Sequence, residues 1–110
     1  MIGKVLNELG DKKVKKKFDI VVTRHKALVE YLRELGIDVD KVVKHASPSD
    51  VKGKVVCGVL PHSLSCLAKE YWEVSLALPQ ELRGKELSKS QIESYAKGLI
   101  GYKVKVIGKI

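Results

Sequence analysis

Apolar positions along the chain recur with two periods. Ile2, Val5, Leu6 and Leu9 fall at i, i+3, i+4 and i+7, one face of a short helix, and Gly10-Asp11 is a plausible stop. Phe18-Asp19-Ile20-Val21-Val22-Thr23 is mostly continuous apolar and rich in β-branched residues, which predicts a strand covered on both faces. Over residues 26–35, Ala27, Leu28, Tyr31, Leu32 and Leu35 make one stripe, predicting a helix that Gly36 ends. Val39 to Lys44 reads as a second strand. His45 to Lys54 reads as a loop, with Ser47-Pro48 starting a single helical turn. Val55-Val56-Cys57-Gly58-Val59-Leu60 is a third strand, broken by Pro61. Residues 62–70 read as a second helix with Leu64, Leu67 and Ala68 inward. Trp72 to Leu78 is a fourth strand, ended by Pro79, and residues 80–87 form a polar loop. Ser88 or Ser90 caps a third helix through Gln91 or Glu93. That helix carries Ile92, Tyr95, Ala96 and Leu99 on one face, and Gly101 closes it. Tyr102 to Ile107, with its alternating Lys, reads as an edge strand.

The order strand–helix–strand–strand–helix–strand–helix–strand predicts an α/β fold, a small, mostly parallel five-stranded sheet with helices on both faces. About ten residues join the second and third strands, short for a parallel crossover, so their relative position stays open. The chain of 110 residues suits one domain, read as residues 18–110, preceded by a basic N-terminal extension over residues 1–17.

Charge sharpens that division. The net charge is +8, and residues 1–17 carry half of it, with Lys12, Lys13, Lys15, Lys16 and Lys17 clustered. Such a head can attract a polyanion through counterion release, or can simply be solvated. One Trp and one Phe are too few for a broad platform stacking a long single strand. No run approaches the ~20 apolar residues of a membrane span, and the start does not read as a secretory signal. Cys57 and Cys66 lack disulfide-scaffold or zinc-ligand spacing, so free thiols in a cytoplasmic protein are expected.

In open α/β sheets, ligands bind beyond the carboxyl ends of the strands. That rule selects Thr23-Arg24-His25 after the first strand, Leu60-Pro61-His62-Ser63 with Ser65 after the third, and Arg83, Lys85 and Glu86 after the fourth. Arg and Lys pair with phosphate, hydroxyls add directional bonds, and helix starts offer N–H groups, so the set suits an anionic ligand. His45, at the end of the second strand, reads as structural or exposed. There is no GxGxxG, no GxxxxGK[ST] and no GxSxG. The three His are far apart without metal-ligand spacing, and no metal or cofactor is expected.

Val22-Thr23-Arg24-His25, followed by Tyr31-Leu32 and Gly36-Ile37, resembles the opening of the small VTRH-motif accessory family of type III CRISPR loci. Gly58-Val59-Leu60-Pro61 is similar to that family's Gly-Thr-Leu-Pro segment. Leu76-Ala77-Leu78-Pro79 with Arg83-Gly84-Lys85-Glu86-Leu87-Ser88 is similar to its third signature. The sequence departs at Ala27-Leu28, where Gly-Ala is usual, at Tyr31 for Trp, and at Val59 for Thr. The resemblance implies a Rossmann-like core related to the CARF sensor domains and a ring nuclease that destroys cyclic oligoadenylate. A homodimer would hold cyclic tetra-adenylate across its two-fold axis, with no long nucleic acid required. For that chemistry the residues beyond the strand ends supply the candidates: Arg24 and His25 for catalysis, with His62 second, and Thr23, Leu60, Pro61, Ser63, Ser65, Arg83 and Lys85 for binding; the resemblance itself does not choose between the two His. The competing readings are a sensor or sponge that binds the ring without cutting it, and an RNA-binding accessory that uses the Lys head.

Overall fold

The computed structural model describes residues 15–110. The helix expected over residues 2–9 lies outside them, as do Lys12 and Lys13 of the basic cluster. The chain opens with β1 (Lys17–Phe18) and β2 (Ile20–Val22), separated only by Asp19. The Asp19 amide donates to the Val55 carbonyl at 2.8 Å, and its carboxylate accepts from the Val55 amide at 2.9 Å. After α1 (Lys26–Glu34) come β3 (Asp38–Val39) and β4 (Val42–Val43), which run parallel to β1 and β2 respectively. Then follow α2 (Pro48–Val51), β5 (Val55–Gly58), α3 (His62–Ser65) and β6 (Glu70–Leu76). A 3-10 turn (Gln80–Leu82), α4 (Lys89–Tyr95) and β7 (Ala96–Tyr102) complete the order.

The main sheet is ordered β4-β2-β5-β6-β7, parallel except for β7, which is antiparallel to β6. This is a small Rossmann-like α/β fold. With β1–β2 and β3–β4 each read as one interrupted strand, the spatial order is 2-1-3-4-5. The second and third strands therefore flank the first from opposite sides, and the connection between them, which carries α2, crosses over the first strand. That order settles the relative position of the second and third strands and creates a topological switch point between β2 and β5.

Each face of the sheet has its own core, because alternate residues of a strand point to opposite sides. Val21 and Cys57 join Phe18, Val29, Leu32, Ile37 and Val39 on the face covered by α1. Ile20, Val22 and Val56 join Val51, Ala68 and Tyr71 on the other face, with Leu60, Leu64 and Leu67 packed against them. Both faces of β2 are covered, as its unbroken apolar run requires. The capping box at Ser88 is realised, and α2 carries a second one. Ser88 Oγ accepts from the Gln91 amide at 3.2 Å, and the Gln91 side chain accepts from the Ser88 amide at 3.0 Å. At α2 the Asp50 carboxylate accepts from the Ser47 amide at 2.8 Å.

Two expected helices are shorter than their apolar spacing implies. The helix expected over residues 62–70 is the single turn α3. The Lys69 amide donates to the Lys54 carbonyl at 2.8 Å, which ties this stretch to the start of β5 and commits Glu70 to β6. The third helix stops at Tyr95, not at Gly101, and the last strand is Ala96–Tyr102, not Tyr102–Ile107. The reason is the ladder with β6, in which Trp72 faces Gly101 and Tyr71 faces Tyr102. A Cβ on Gly101 would sit 2.8 Å from the Trp72 ring, so only glycine fits there. Leu99 reaches the α1-side core from the strand, as it would have from a helix.

Candidate functional site

The carboxyl ends of β4, β2 and β5 converge at the switch point. The Thr23 amide donates to the Val43 carbonyl at 2.9 Å, carrying the β2–β4 ladder one residue further. Thr23 Oγ1 then accepts from the His25 amide at 3.0 Å, turning the chain into α1 with His25 as its N-cap residue. α1 has no acidic residue in its first turn, so nothing on that turn offsets the positive end of the helix. Across the gap, Gly58 brings β5 so close that a Cβ there would lie 2.5 Å from the Val22 carbonyl oxygen. That backbone oxygen cannot swing aside, so the close approach of the two strand ends depends on glycine.

A cleft of about 630 Å³ opens above this junction. Its basic wall is Arg24, His25, Lys44, His45 and Lys85, and its acidic contribution is Glu86. Cys57, Leu28, Val74 and Ile92 help to form an apolar floor. Burial, and then the charge of Glu73, push the Cys57 thiol up to about 12, so it stays protonated at neutral pH and is no nucleophile. His25 Nδ1 is shut off from solvent and has no hydrogen-bond partner among the described residues. Such a nitrogen invites a donor that the protein itself does not supply.

Of the residues singled out from the sequence, Thr23, Arg24, His25 and Lys85 line this cleft together. Leu60, Pro61, His62, Ser63, Ser65 and Arg83 are not among its lining residues. Leu60 packs into the core on the sheet's other face, and α3 follows it there. The Leu60 amide donates to the Tyr71 hydroxyl at 2.8 Å, and that hydroxyl donates to Glu73 Oε2 at 2.6 Å. Burial and the bond to Glu73 raise the Tyr71 phenol, so it remains a donor and pins this turn. Pro61, His62 and Ser63 are exposed, and Arg83 lies exposed just after the 3-10 turn. Ser65 is buried, with its hydroxyl unpartnered among the described residues. Val59 is 84% exposed at the cleft rim.

Lys44 was not singled out from the sequence, and His45, read there as structural or exposed, is exposed and lines the cleft. They follow β4 directly, so the carboxyl-end rule applied to the second strand would have found them. Among the described residues, no group of three or more His, Cys, Asp or Glu side chains is placed to hold a metal ion. Among them, too, no helix is long and apolar enough to cross a membrane.

A family model described as "Putative CRISPR-associated protein (Cas_VVA1548)" matches residues 20–105, from the start of β2 to beyond the end of β7. The chain belongs to the Cas_VVA1548 family. The match takes in every residue that lines the cleft, so the CRISPR-associated unit and the basic cleft are one object. No match to a curated protein or to a solved structure was found.

Proposed function

We propose that this Cas_VVA1548 family member is a ring nuclease. It opens cyclic oligoadenylate, most simply cyclic tetra-adenylate, and so switches off type III CRISPR signalling. The observation that carries the reading is the Thr23-Arg24-His25 wall of the cleft. It sets a guanidinium and an imidazole beside the uncompensated start of α1, at the sheet's switch point.

The chemistry is transesterification. A ribose 2′-oxygen attacks the neighbouring phosphorus while the bond from phosphorus to the 5′-oxygen breaks. The products are a 2′,3′-cyclic phosphate and a free 5′-hydroxyl. One proton leaves the 2′-hydroxyl and one reaches the departing 5′-oxygen. Arg24 and the first N–H groups of α1 bind the non-bridging oxygens, whose negative charge grows in the transition state. His25 transfers a proton, a task suited to imidazole because its reference pKa of about 6.5 lies near neutral pH. The bond from its amide to Thr23 Oγ1 fixes the turn that carries the ring. His45 replaces His62 as the second proton-transfer candidate, because it shares the cleft with His25. Lys44 and Lys85 add charge for flanking phosphates. Two copies related by a two-fold axis would offer a symmetric ring two identical patches.

The test is to incubate the protein with cyclic tetra-adenylate in excess EDTA and resolve the products. Linear di-adenylate ending in a cyclic phosphate is the expected result. An intact ring held tightly would make the protein a sensor or sponge. No interaction with the ring, together with salt-sensitive RNA binding, would make it an RNA-binding accessory.

A further inference from the structure

A second hollow, about 400 Å³, lies on the other side of the Thr23–His25 turn, between α1 and the edge strand β4. It shares Thr23, Arg24, His25 and Lys44 with the cleft and adds Lys26, Val29, Glu30, Arg33 and Val42. Lys26, Val29, Glu30 and Arg33 fall at i, i+3, i+4 and i+7, so one face of α1 overlooks the strand. Val29 and Val42 form an apolar floor, with Val42 43% exposed.

The charge of this groove is one-sided. Arg24, Lys26, Arg33 and Lys44 face a single acid, Glu30. The ion pairs between described residues are Lys16–Glu70, Lys17–Asp40, Lys41–Asp50 and Lys89–Glu34, and none of them engages these four cations. Four cations gathered around a single acid leave the hollow with a net positive charge that an anion would offset. The floor offers apolar surface to a base, and the rim offers cations to a phosphate. The alternative occupant, a strand from a second copy, has little to pair with, because β4 is two residues long and lysines stand on both sides of it.

We propose that this groove is a second phosphodiester subsite. The nucleotide next to the scissile one lies in it, and the oligoadenylate straddles the Thr23–His25 turn. The assignment rests on the oligoadenylate reading above and adds Lys26 and Arg33 to it as binding residues.

The test uses a fluorescein-labelled linear tetra-adenylate with 2′-O-methyl riboses, which lacks the attacking hydroxyl and so reports binding alone. Anisotropy titrations over a range of salt compare the wild type with Lys26→Ala/Arg33→Ala. The double variant is expected to bind about tenfold more weakly. Two lost phosphate contacts should also flatten the slope of log K against log salt by about 1.4. Lys26→Arg/Arg33→Lys should restore both. Wild-type affinity and slope in the alanine variant would overturn the proposal. So would a change in sedimentation with binding intact, which would make the groove a contact between copies. If the wild type leaves the cyclic substrate uncut yet the slope flattens as expected, the groove stands and the nuclease reading falls. If the wild type binds no oligoadenylate, both fall.

Discussion

The two ends of the sheet treat positive charge in opposite ways. At the amino end, Lys16 bonds Glu70 at 2.6 Å and lies 5.0 Å from the centroid of the Trp72 ring, while Lys17 sits 3.6 Å from Asp40. At the carboxyl end, Arg24 and Lys44 line two hollows and take part in none of the ion pairs between described residues. A cation held by an acid and an aromatic ring contributes to the fold. A cluster that takes part in no ion pair keeps its charge available. The contrast also revises the meaning of the lysine cluster. Two of its members, Lys16 and Lys17, have acidic partners within the domain, and Lys16 is the more firmly held.

The sharpest way to break the carboxyl end is Gly58→Ala. Its Cβ would fall 2.5 Å from the Val22 carbonyl oxygen, forcing β2 and β5 apart. The expected cost is about 1–3 kcal/mol, the range for overpacking, read as a lower midpoint in a denaturant melt together with weaker cleavage. Arg24→Ala and His25→Ala come next. Each is expected to slow ring opening at least about tenfold with the melt unchanged, since both side chains lie at the cleft surface. Full rate in both variants would put the site elsewhere.

The smallest effect is expected at the amino end. Lys16→Ala should cost at most about 1 kcal/mol of stability and leave cleavage intact. Glu70→Gln sharpens the comparison through pH. The bond from Lys16, and then the one from the Trp72 indole, hold the Glu70 carboxyl below its ordinary value. A carboxyl depressed in the folded state stabilises at pH above its unfolded value, and that contribution disappears as pH falls through the folded value. The wild type should therefore exceed Glu70→Gln in stability at neutral pH, and the two should converge in acid. A gap that persists in acid would deny Glu70 this role.

The strands β2 and β5, the helix α1 and the Ser88–Gln91 capping box were legible in the sequence, because each is specified by its own residues. A continuous apolar run, a stripe ended by Gly36, and Ser88 three residues before Gln91 need no knowledge of distant chain. The boundary between α4 and β7 was not legible. Ile92, Tyr95, Ala96 and Leu99 satisfy helical spacing, and only the ladder to Trp72 and Tyr71 makes a strand of the second half. Gly98, at φ 112, and Gly101 are the local signs that this stretch resists a helix. The site was legible in proportion to how far it depends on one segment. Thr23, Arg24 and His25 form a single turn and could be singled out together. His45 reaches the same cleft only because β4 lies on the far side of β2 from β5, and strand order is a property of the whole sheet. The same geometry carries Leu60 and α3 to the opposite face, so nearness to a strand end did not bring His62 to the cleft.

Trp72, the one tryptophan in the chain, lies against Gly101, with Phe18 6.3 Å away and the Lys16 ammonium above its ring. It belongs to the lining of neither hollow. The molecule thus carries its own optical gauge: indole emission follows the pairing of the last two strands, while occupancy of the basic chambers calls for a label placed elsewhere.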